Sequence, residues 1–372
     1  MKSHELLAAS ESERLALINS ISAKRKSRVI SYLTSTRPGL PGFVSRGDIE
    51  IIEKHVRQAH ADGAENIDLI LTTYGGHTVA PWDFIAMLRD YFPKGRFSVI
   101  LPGMAYSAGT MIALGADEII AGPTTRLGPV DSTSGWESFF WDDGRSSTSA
   151  LKGFMQLVES TGIKERHAQD LMIDWLTRQT DALALGETYR SMRENRRLIE
   201  NIIGSRVSPP PASVREKVIN FLLYEVGDHS QAIRRREAAK EGIDTLTDME
   251  TSGLETDVIR LFNLYADIMK LNSPFARLII DSGRPGDLTD YDAYGEHASE
   301  TPIILVESAY DTNAAYMSYG IRHWDETPPV IPPLPDGGQP KREGPTAQDF
   351  SFRWQGRHTR ADQRPSRLKD PS

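Results

Sequence analysis

Short, almost fully apolar segments alternate with amphipathic segments through the first third of the chain. An uninterrupted apolar run of about four to eight residues is typical of a strand covered on both faces, as in a parallel sheet. Apolar residues spaced by three and four positions predict a helix instead. The predicted strands are Arg28–Leu33, Ile67–Thr72, Phe97–Leu101 and Glu118–Ala121, and the predicted helices are Asp48–His60, Pro81–Phe92 and Ser107–Gly115. This alternation indicates an α/β core with right-handed crossovers.

The pattern changes after about residue 150. Charged segments with helical periodicity cover Lys152–Gly204 and Ser213–Leu271, a break falls at Ser208–Pro211, and Pro302–Glu307 is predicted to return a strand to the core. Residues 325–372 hold 9 of the 22 prolines and no apolar periodicity, which is typical of disorder. We therefore expect a helical N-terminal segment (1–24), an α/β core (25–150), a helical region completing the core and the oligomer contacts (151–324) and a disordered, Pro-rich, basic tail (325–372).

Composition and charge exclude several classes of protein. The formal net charge is −8, which argues against a nucleic-acid partner held by phosphate neutralisation. The absence of cysteine excludes disulfides, thiolate metal sites and a cysteine nucleophile. The N-terminus is charged throughout, and the uncharged segment Phe97–Ala116 is interrupted by Pro102 and Gly103, so we expect no membrane span and a cytoplasmic location.

Candidate chemistry lies in two loops that follow predicted strands. One contains the paired glycines Gly75 and Gly76, and the other places Ser107 at a strand-to-helix turn. The carboxyl ends of parallel strands share one sheet edge, where functional loops collect. Ser107 there suits an acyl-transfer nucleophile, and the backbone N–H groups of Gly76 and Ala108 are candidate donors to an oxyanion if the loops adjoin.

Each of these features also has an ordinary structural interpretation. Paired glycines after a strand often form only a turn, and a serine at a helix start often only caps the helix. His77 could line a substrate cleft or simply face solvent. No histidine pair has metal-binding spacing and no phosphate-binding loop is present, so we expect no metal and no cofactor.

The run IDLILTTYGGHTVAPWDFIAML, the strand FSVIL, the segment MAYSAGTMIALGADEIIAGP and the turn LGPVDS together resemble the serine dehydrogenase proteinase family. These relatives of signal peptide peptidase A belong to the Clp protease/crotonase superfamily. The resemblance implies a spiral of ββα units that assembles into homo-oligomers. It also implies that Ser107 is the nucleophile, that Gly76 and Ala108 form the oxyanion hole, and that Asp131 orients active-site groups, although Asp131 is also an ordinary turn residue.

The general base is the open question of the sequence. The histidine of Clp protease subunits has no counterpart in GPTTRLGPVDS, whereas signal peptide peptidases use a lysine on a later helix. Lys152 is therefore the first candidate, provided that burial lowers its pKa enough to give a neutral amine. Lys164 and His229 are the others. Both lysines could equally be solvated, and His229 could belong to a helix cap.

We accordingly expect a serine endopeptidase with a Ser–Lys dyad, acting on peptide or protein substrates through an acyl-enzyme on Ser107. Two other functions stay open. A crotonase-like enzyme of acyl-CoA would normally need carboxylates near the two loops, and residues 73–80 and 104–110 contain none. A non-catalytic oligomeric scaffold or adaptor of the same fold would need neither Ser107 nor Lys152.

Overall fold

The computed structural model describes residues 2–130, 170, 174, 178, 182–226, 231–275, 279–281, 292–294, 301–318 and 351–356. The described helices are α1 (Ser3–Ala9), α2 (Glu11–Arg25), α3 (Arg46–Ala61), α4 (Ala80–Tyr91), α5 (Ala108–Leu114), α6 (Ala182–Gly204), α7 (Ala212–Asn220), a π-helix (Phe221–Glu225), α8 (Arg235–Lys240) and α9 (Glu255–Ile268).

The described strands are β1 (Arg28–Thr34), β2 (Thr36–Arg37), β3 (Leu40–Pro41), β4 (Ile67–Thr72), β5 (Phe97–Leu101), β6 (Met104–Ala105), β7 (Glu118–Ala121), β8 (Arg126–Leu127), β9 (Ile233–Arg234), β10 (Leu246–Asp248), β11 (Ile279–Asp281), β12 (Asp292–Tyr294), β13 (Pro302–Ser308), β14 (Thr312–Ser318) and β15 (Ser351–Gly356).

One central sheet organises the molecule. Its strand order is β10-β7-β5-β4-β1-β13-β14-β15. The strands from β10 to β1 are parallel, and β13, β14 and β15 extend the sheet with antiparallel pairs. The predicted α/β core is confirmed, and so is the strand predicted at Pro302–Glu307.

Helices cover both faces of this sheet. Alternate residues of β4 point to opposite sides, so Leu69 and Leu71 pack with α3, α4, α5 and α6, whereas Ile70 packs with α2 and α9. The strand interiors are therefore buried from both directions. This double burial explains why the strands appear in the sequence as continuous apolar runs.

A second, shorter ladder lies beside the carboxyl ends of the parallel strands. Val44 pairs with Gly76, Thr73 pairs with Ala105, and β6 pairs with β8, all in parallel. The strands β1, β4 and β5 are thus each followed by a short extended segment and then by a helix. This repetition is the spiral of ββα units that the resemblance implied.

The C-terminal half differs in detail from its predicted helical character. Helices α6 and α7 flank the predicted break at Ser208–Pro211, but the region also contributes β9 to the short ladder and β10 to the sheet edge. Within the range expected to be disordered, residues 325–372, the structure describes β15, which pairs with β14. The rest of that range lies outside the described residues.

Candidate active site

The two candidate loops are in contact. Gly75 lies in the turn after β4, and Ser107 lies between β6 and α5. A Cβ placed on Gly75 would lie 2.8 Å from the Ser107 Cβ and 3.3 Å from the Ala108 nitrogen. The neighbouring parallel strands β4 and β5 bring both turns to one sheet edge. Only a residue without a side chain fits at position 75, because any side chain there would displace the serine.

Ser107 has the backbone of a strained turn and not that of an ordinary helix cap. Its φ is 50° and its ψ is −112°, and its hydroxyl makes no capping hydrogen bond to α5. A capping serine has extended torsions and accepts a bond from the first helical turn. Non-glycine residues in such sparsely populated conformations cluster at functional sites, and nucleophilic serines at strand-to-helix turns are one example.

The Ser107 residue is buried but not completely. The residue keeps 6% of its surface exposed. The structural interpretation of Ser107 as a helix cap has no support in these contacts. The interpretation as a nucleophile agrees with both the backbone and the hydroxyl's lack of a capping bond.

The peptide plane between Gly75 and Gly76 has a defined orientation. The Val44 N–H donates to the Gly75 carbonyl oxygen at 2.7 Å, and the His77 N–H donates to the Val44 carbonyl oxygen at 2.8 Å. In a trans peptide the C=O and the following N–H point in opposite directions. Because the Gly75 carbonyl points to Val44, the Gly76 N–H points away from it.

The direction opposite Val44 is the side of the serine. In the short ladder, residues 73–77 lie between Val44 and the segment Met104–Tyr106, since Thr73 exchanges two backbone hydrogen bonds with that segment. The Gly76 N–H is therefore directed to the side from which the chain continues into Ser107. This geometry is what a donor to an oxyanion requires.

Ala108 supplies the second candidate donor. It is the first residue of α5, a position whose N–H has no acceptor within the helix. Two of the next three N–H groups are engaged, because Gly109 donates to Tyr106 at 2.8 Å and Met111 donates to Ser107 at 3.0 Å. The structure thus brings together Ser107, Gly76 and Ala108, which the sequence predicted as one constellation.

Buried threonines fix both loops. The Thr73 hydroxyl accepts the Gly75 N–H at 3.0 Å and the Thr34 hydroxyl at 2.7 Å. On the serine loop, the Thr110 hydroxyl lies 2.8 Å from the carbonyl oxygens of Ala105 and Gly128. These hydrogen bonds hold both loops in fixed positions, which is the preorganisation that an oxyanion hole requires.

Of the remaining predicted site residues, the structure describes only His77. His77 follows the glycine loop, its side chain is exposed, and its part in the site stays a prediction. Lys152, Lys164, Asp131 and His229 lie outside the described residues. The identity of the general base therefore stays a prediction too.

Two tyrosines lie beside the candidate loops and were not among the site residues predicted from the sequence. The rings of Tyr74 and Tyr106 meet edge to face with centroids 6.4 Å apart. Gly128 has no side chain that would collide with the Tyr106 ring, since a Cβ there would come within 2.8 Å of it. Each tyrosine immediately precedes a predicted loop residue, Gly75 or Ser107. That adjacency is the signal from which the pair could have been found.

Comparisons with known proteins agree with the predicted resemblance. Residues 2–136 match the model of a family described as ClpP-like SDH-type serine proteinase. Two uncharacterized proteins of Methanocaldococcus jannaschii, MJ0137 and MJ1495, are 37% identical over 128 residues and 36% identical over 129 residues. Each match covers 33% of this chain and 43% of the relative, so the similarity spans less than half of either protein.

Similar solved structures include a mutant of the 1510-N membrane-bound stomatin-specific protease and ClpP1 from Listeria monocytogenes. The first is 16% identical over 58% of this chain and 79% of that structure, with a TM-score of 0.36. The second is 17% identical over 62% of this chain and 95% of that structure, with a TM-score of 0.34. No helix within the described ranges combines the length and apolar character needed to cross a bilayer.

Proposed function

We propose that this protein is a serine peptidase that hydrolyses peptide bonds through an acyl-enzyme on Ser107. One observation carries the proposal: Ser107, whose hydroxyl makes no capping hydrogen bond, and the Ala108 nitrogen lie against Gly75, and the peptide plane that follows Gly75 turns the Gly76 N–H away from Val44. The match of residues 2–136 to a serine proteinase family supports the same chemistry.

The proposed reaction has two steps. The Ser107 oxygen attacks the peptide carbonyl while a base takes the hydroxyl proton, and the carbonyl oxygen becomes an oxyanion that the two N–H groups stabilise. Collapse breaks the C–N bond, and the protonated base returns its proton to the leaving amine. Water then attacks the ester by the same route, which releases the acid and restores the serine.

We propose Lys152 as the base, with Lys164 and His229 as alternatives. A lysine can accept the proton only as a neutral amine, which requires a buried site that lowers its pKa. A pH profile of Ser107 labelling in Lys152→Ala and Lys164→Ala variants would distinguish the two lysines. A cytoplasmic, homo-oligomeric enzyme remains part of the proposal, as predicted from the sequence.

A fluorophosphonate probe tests the nucleophile directly. We expect one adduct, mapped to Ser107 by mass spectrometry, and we expect Ser107→Ala to lose both labelling and hydrolysis of labelled casein while keeping its thermal unfolding transition. Removal of a nucleophile that acts with its base lowers the rate by several orders of magnitude, on the order of 10⁴-fold or more.

Ser308 provides a matched control. Its hydroxyl is buried and lies 2.7 Å from the Nδ1 atom of His55, so it forms a Ser–His pair remote from the two loops. Ser308→Ala should keep full labelling at Ser107. Folded wild-type protein without an adduct at Ser107 would refute the proposal, and heat released on titration with CoA would favour the acyl-CoA alternative.

A further inference from the structure

A buried carboxylate outside the reacting groups holds the segment that orients the oxyanion donor. Asp48 accepts three hydrogen bonds: the Tyr32 hydroxyl at 2.6 Å and the Ser45 N–H at 2.9 Å on one oxygen, and the Ser45 hydroxyl at 2.8 Å on the other. Asp48 and Tyr32 are each only 1% exposed. Burial raises the pKa of both groups.

The contacts of Ser45 determine where Val44 lies. Ser45 is the N-cap of α3, and its N–H and hydroxyl are both tied to Asp48 in the first turn of that helix. Val44 is the preceding residue, so its backbone cannot move far while Ser45 is held. Val44 in turn makes the two hydrogen bonds that fix the Gly75 carbonyl and the His77 N–H.

Strand β1, which carries Tyr32, also anchors the glycine loop, through Thr34. Tyr32 and Thr34 are two residues apart on β1, so their side chains share one face of the sheet. Thr34 donates to Thr73, whose hydroxyl accepts the Gly75 N–H. Gly75 is therefore held at its N–H through Thr34 and at its C=O through Val44.

We infer that Asp48, oriented by Tyr32, is a positioning residue that sets the Gly75–Gly76 peptide plane and thereby aims the Gly76 N–H at the oxyanion. The inference rests on the proposed function, since it assigns Asp48 to the same oxyanion hole. Asp48 does not touch the reacting atoms. Its effect passes through Ser45 and Val44.

The chemistry of Asp48 predicts which replacements are tolerated. Asparagine keeps an oxygen that accepts the Tyr32 and Ser45 donors and presents an N–H to the Ser45 oxygen. Alanine leaves these buried donors without an acceptor and frees the start of α3. Misplacement of a catalytic donor by about 1 Å can cost on the order of 10²-fold in rate.

Tyr265 offers a matched control in the same molecule. Its hydroxyl donates to the buried carboxylate of Glu307 at 2.9 Å, as that of Tyr32 does to Asp48, but the pair lies on β13 and α9, outside the candidate loops. Tyr32→Phe and Tyr265→Phe each remove one buried hydroxyl. They should cost similar stability, but only the first should disturb the oxyanion hole.

The test measures the rate of fluorophosphonate labelling at Ser107 and the ³¹P resonance of the adduct, which reports hydrogen bonding to the phosphoryl oxygen. Asp48→Ala should label about 10²-fold more slowly than wild type with a shifted resonance. Asp48→Asn should stay within about 10-fold of wild type. Tyr32→Phe should label more slowly than Tyr265→Phe, which should match wild type in both readouts.

The outcomes separate this inference from the proposed function. If the wild type is labelled at Ser107 but Tyr32→Phe and Tyr265→Phe have the same labelling rate and the same resonance, the inference about Asp48 is wrong and the proposed function is unaffected. Wild type that is not labelled at Ser107 would overturn the proposed function and this inference with it. If Asp48→Ala does not fold, the Tyr32→Phe and Asp48→Asn comparisons still decide the question.

Discussion

Three glycines around the proposed nucleophile, Gly75, Gly76 and Gly109, are required for different reasons. Gly75 has a φ of 107° and faces Ser107, whereas Gly76 has a φ of 151° and faces the backbone of Val44. Gly109, on the far side of the serine, allows α5 to approach Thr73, because a Cβ there would lie 2.4 Å from the Thr73 Cγ2. The loops therefore meet because side chains are absent where they cross.

Replacement of Gly76 by alanine should damage both stability and labelling. Its Cβ would lie 2.3 Å from the Val44 carbonyl oxygen, so the backbone pair that orients the Gly76 N–H must separate. Overpacking of this kind costs about 1–3 kcal/mol, and loss of one oxyanion donor costs on the order of 10²-fold in rate. Urea denaturation and the rate of fluorophosphonate labelling measure the two effects.

Gly63 provides a control for the conformational cost of replacing a glycine that has a positive φ. It also has a positive φ, 76°, but a Cβ there meets nothing within 4 Å. Gly63→Ala should therefore destabilise the protein by only about 1 kcal/mol and leave labelling unchanged. Equal labelling rates for Gly76→Ala and Gly63→Ala would contradict the assignment of Gly76 to the oxyanion hole.

The sequence indicated the residues proposed to react but not the residues that hold them in place. Ser107, Gly76 and Ala108 stand out because serine and glycine after buried strands form a recognisable pattern. Asp48 appears in the sequence only as the first residue of a predicted helix. Its partner Tyr32 belongs to another element 16 residues away, so their hydrogen bond exists only once β1 and α3 are packed together.

At the scale of elements, one hydroxyl links α5 to both short strands beside it. Thr110 in the first turn of α5 contacts the carbonyl oxygen at the end of β6 and that of Gly128 after β8, and the Gly128 N–H donates back to it at 3.1 Å. Thr110 is fully buried. The helix that follows Ser107, the proposed nucleophile, is thereby fixed to both short strands.

Thr110→Val should keep the shape of this contact and remove its hydrogen bonds. Because the groups left without a partner are buried, we expect a loss of about 1–3 kcal/mol in the free energy of unfolding. Thr251→Val removes an exposed hydroxyl that donates to the Asp248 carbonyl, and it should change stability much less. Similar unfolding midpoints for both variants in urea would show that the hydroxyl does not join these elements.

The long elements were predictable and the short ones were not. The bounds of β4, β5 and β7 agree with the sequence prediction, because a fully buried strand needs an apolar run that ends where the chain turns. The strands β9 and β10 have two and three residues, which is too few for any periodicity to be recognised. Their pairing with β8 and β7 defines them.

At the scale of the whole molecule, buried charges join segments that are distant in sequence. Arg14 on α2 forms two hydrogen bonds with the Glu307 carboxylate on β13, at 2.8 and 3.0 Å, across 293 positions of the chain. Tyr265 on α9 and Thr312 on β14 donate to the same carboxylate. The N-terminal helices and the antiparallel extension of the sheet are thus parts of one core.

Arg14→Met should destabilise the entire fold. It leaves the Glu307 carboxylate, which is fully buried, without its cation, and breaking a buried pair in this way costs about 3–5 kcal/mol. The pair between Arg260 and Glu13 also links α9 to α2 but is exposed to solvent. Arg260→Met should leave the unfolding transition nearly unchanged. Equal thermal unfolding temperatures for the two variants would argue against a structural role of the buried pair.

The sequence alone determined the α/β core, the order of its long elements and the turn residues with candidate chemistry. Local patterns suffice for these features, since burial on both faces and the special torsions of a turn restrict residue type directly. The tertiary structure decided the orientation of the Gly76 N–H, the position of Asp48 behind it and the joining of Arg14 to Glu307. These features depend on distances between elements that are far apart in the sequence. Tertiary packing sets those distances, and no local sequence pattern encodes them.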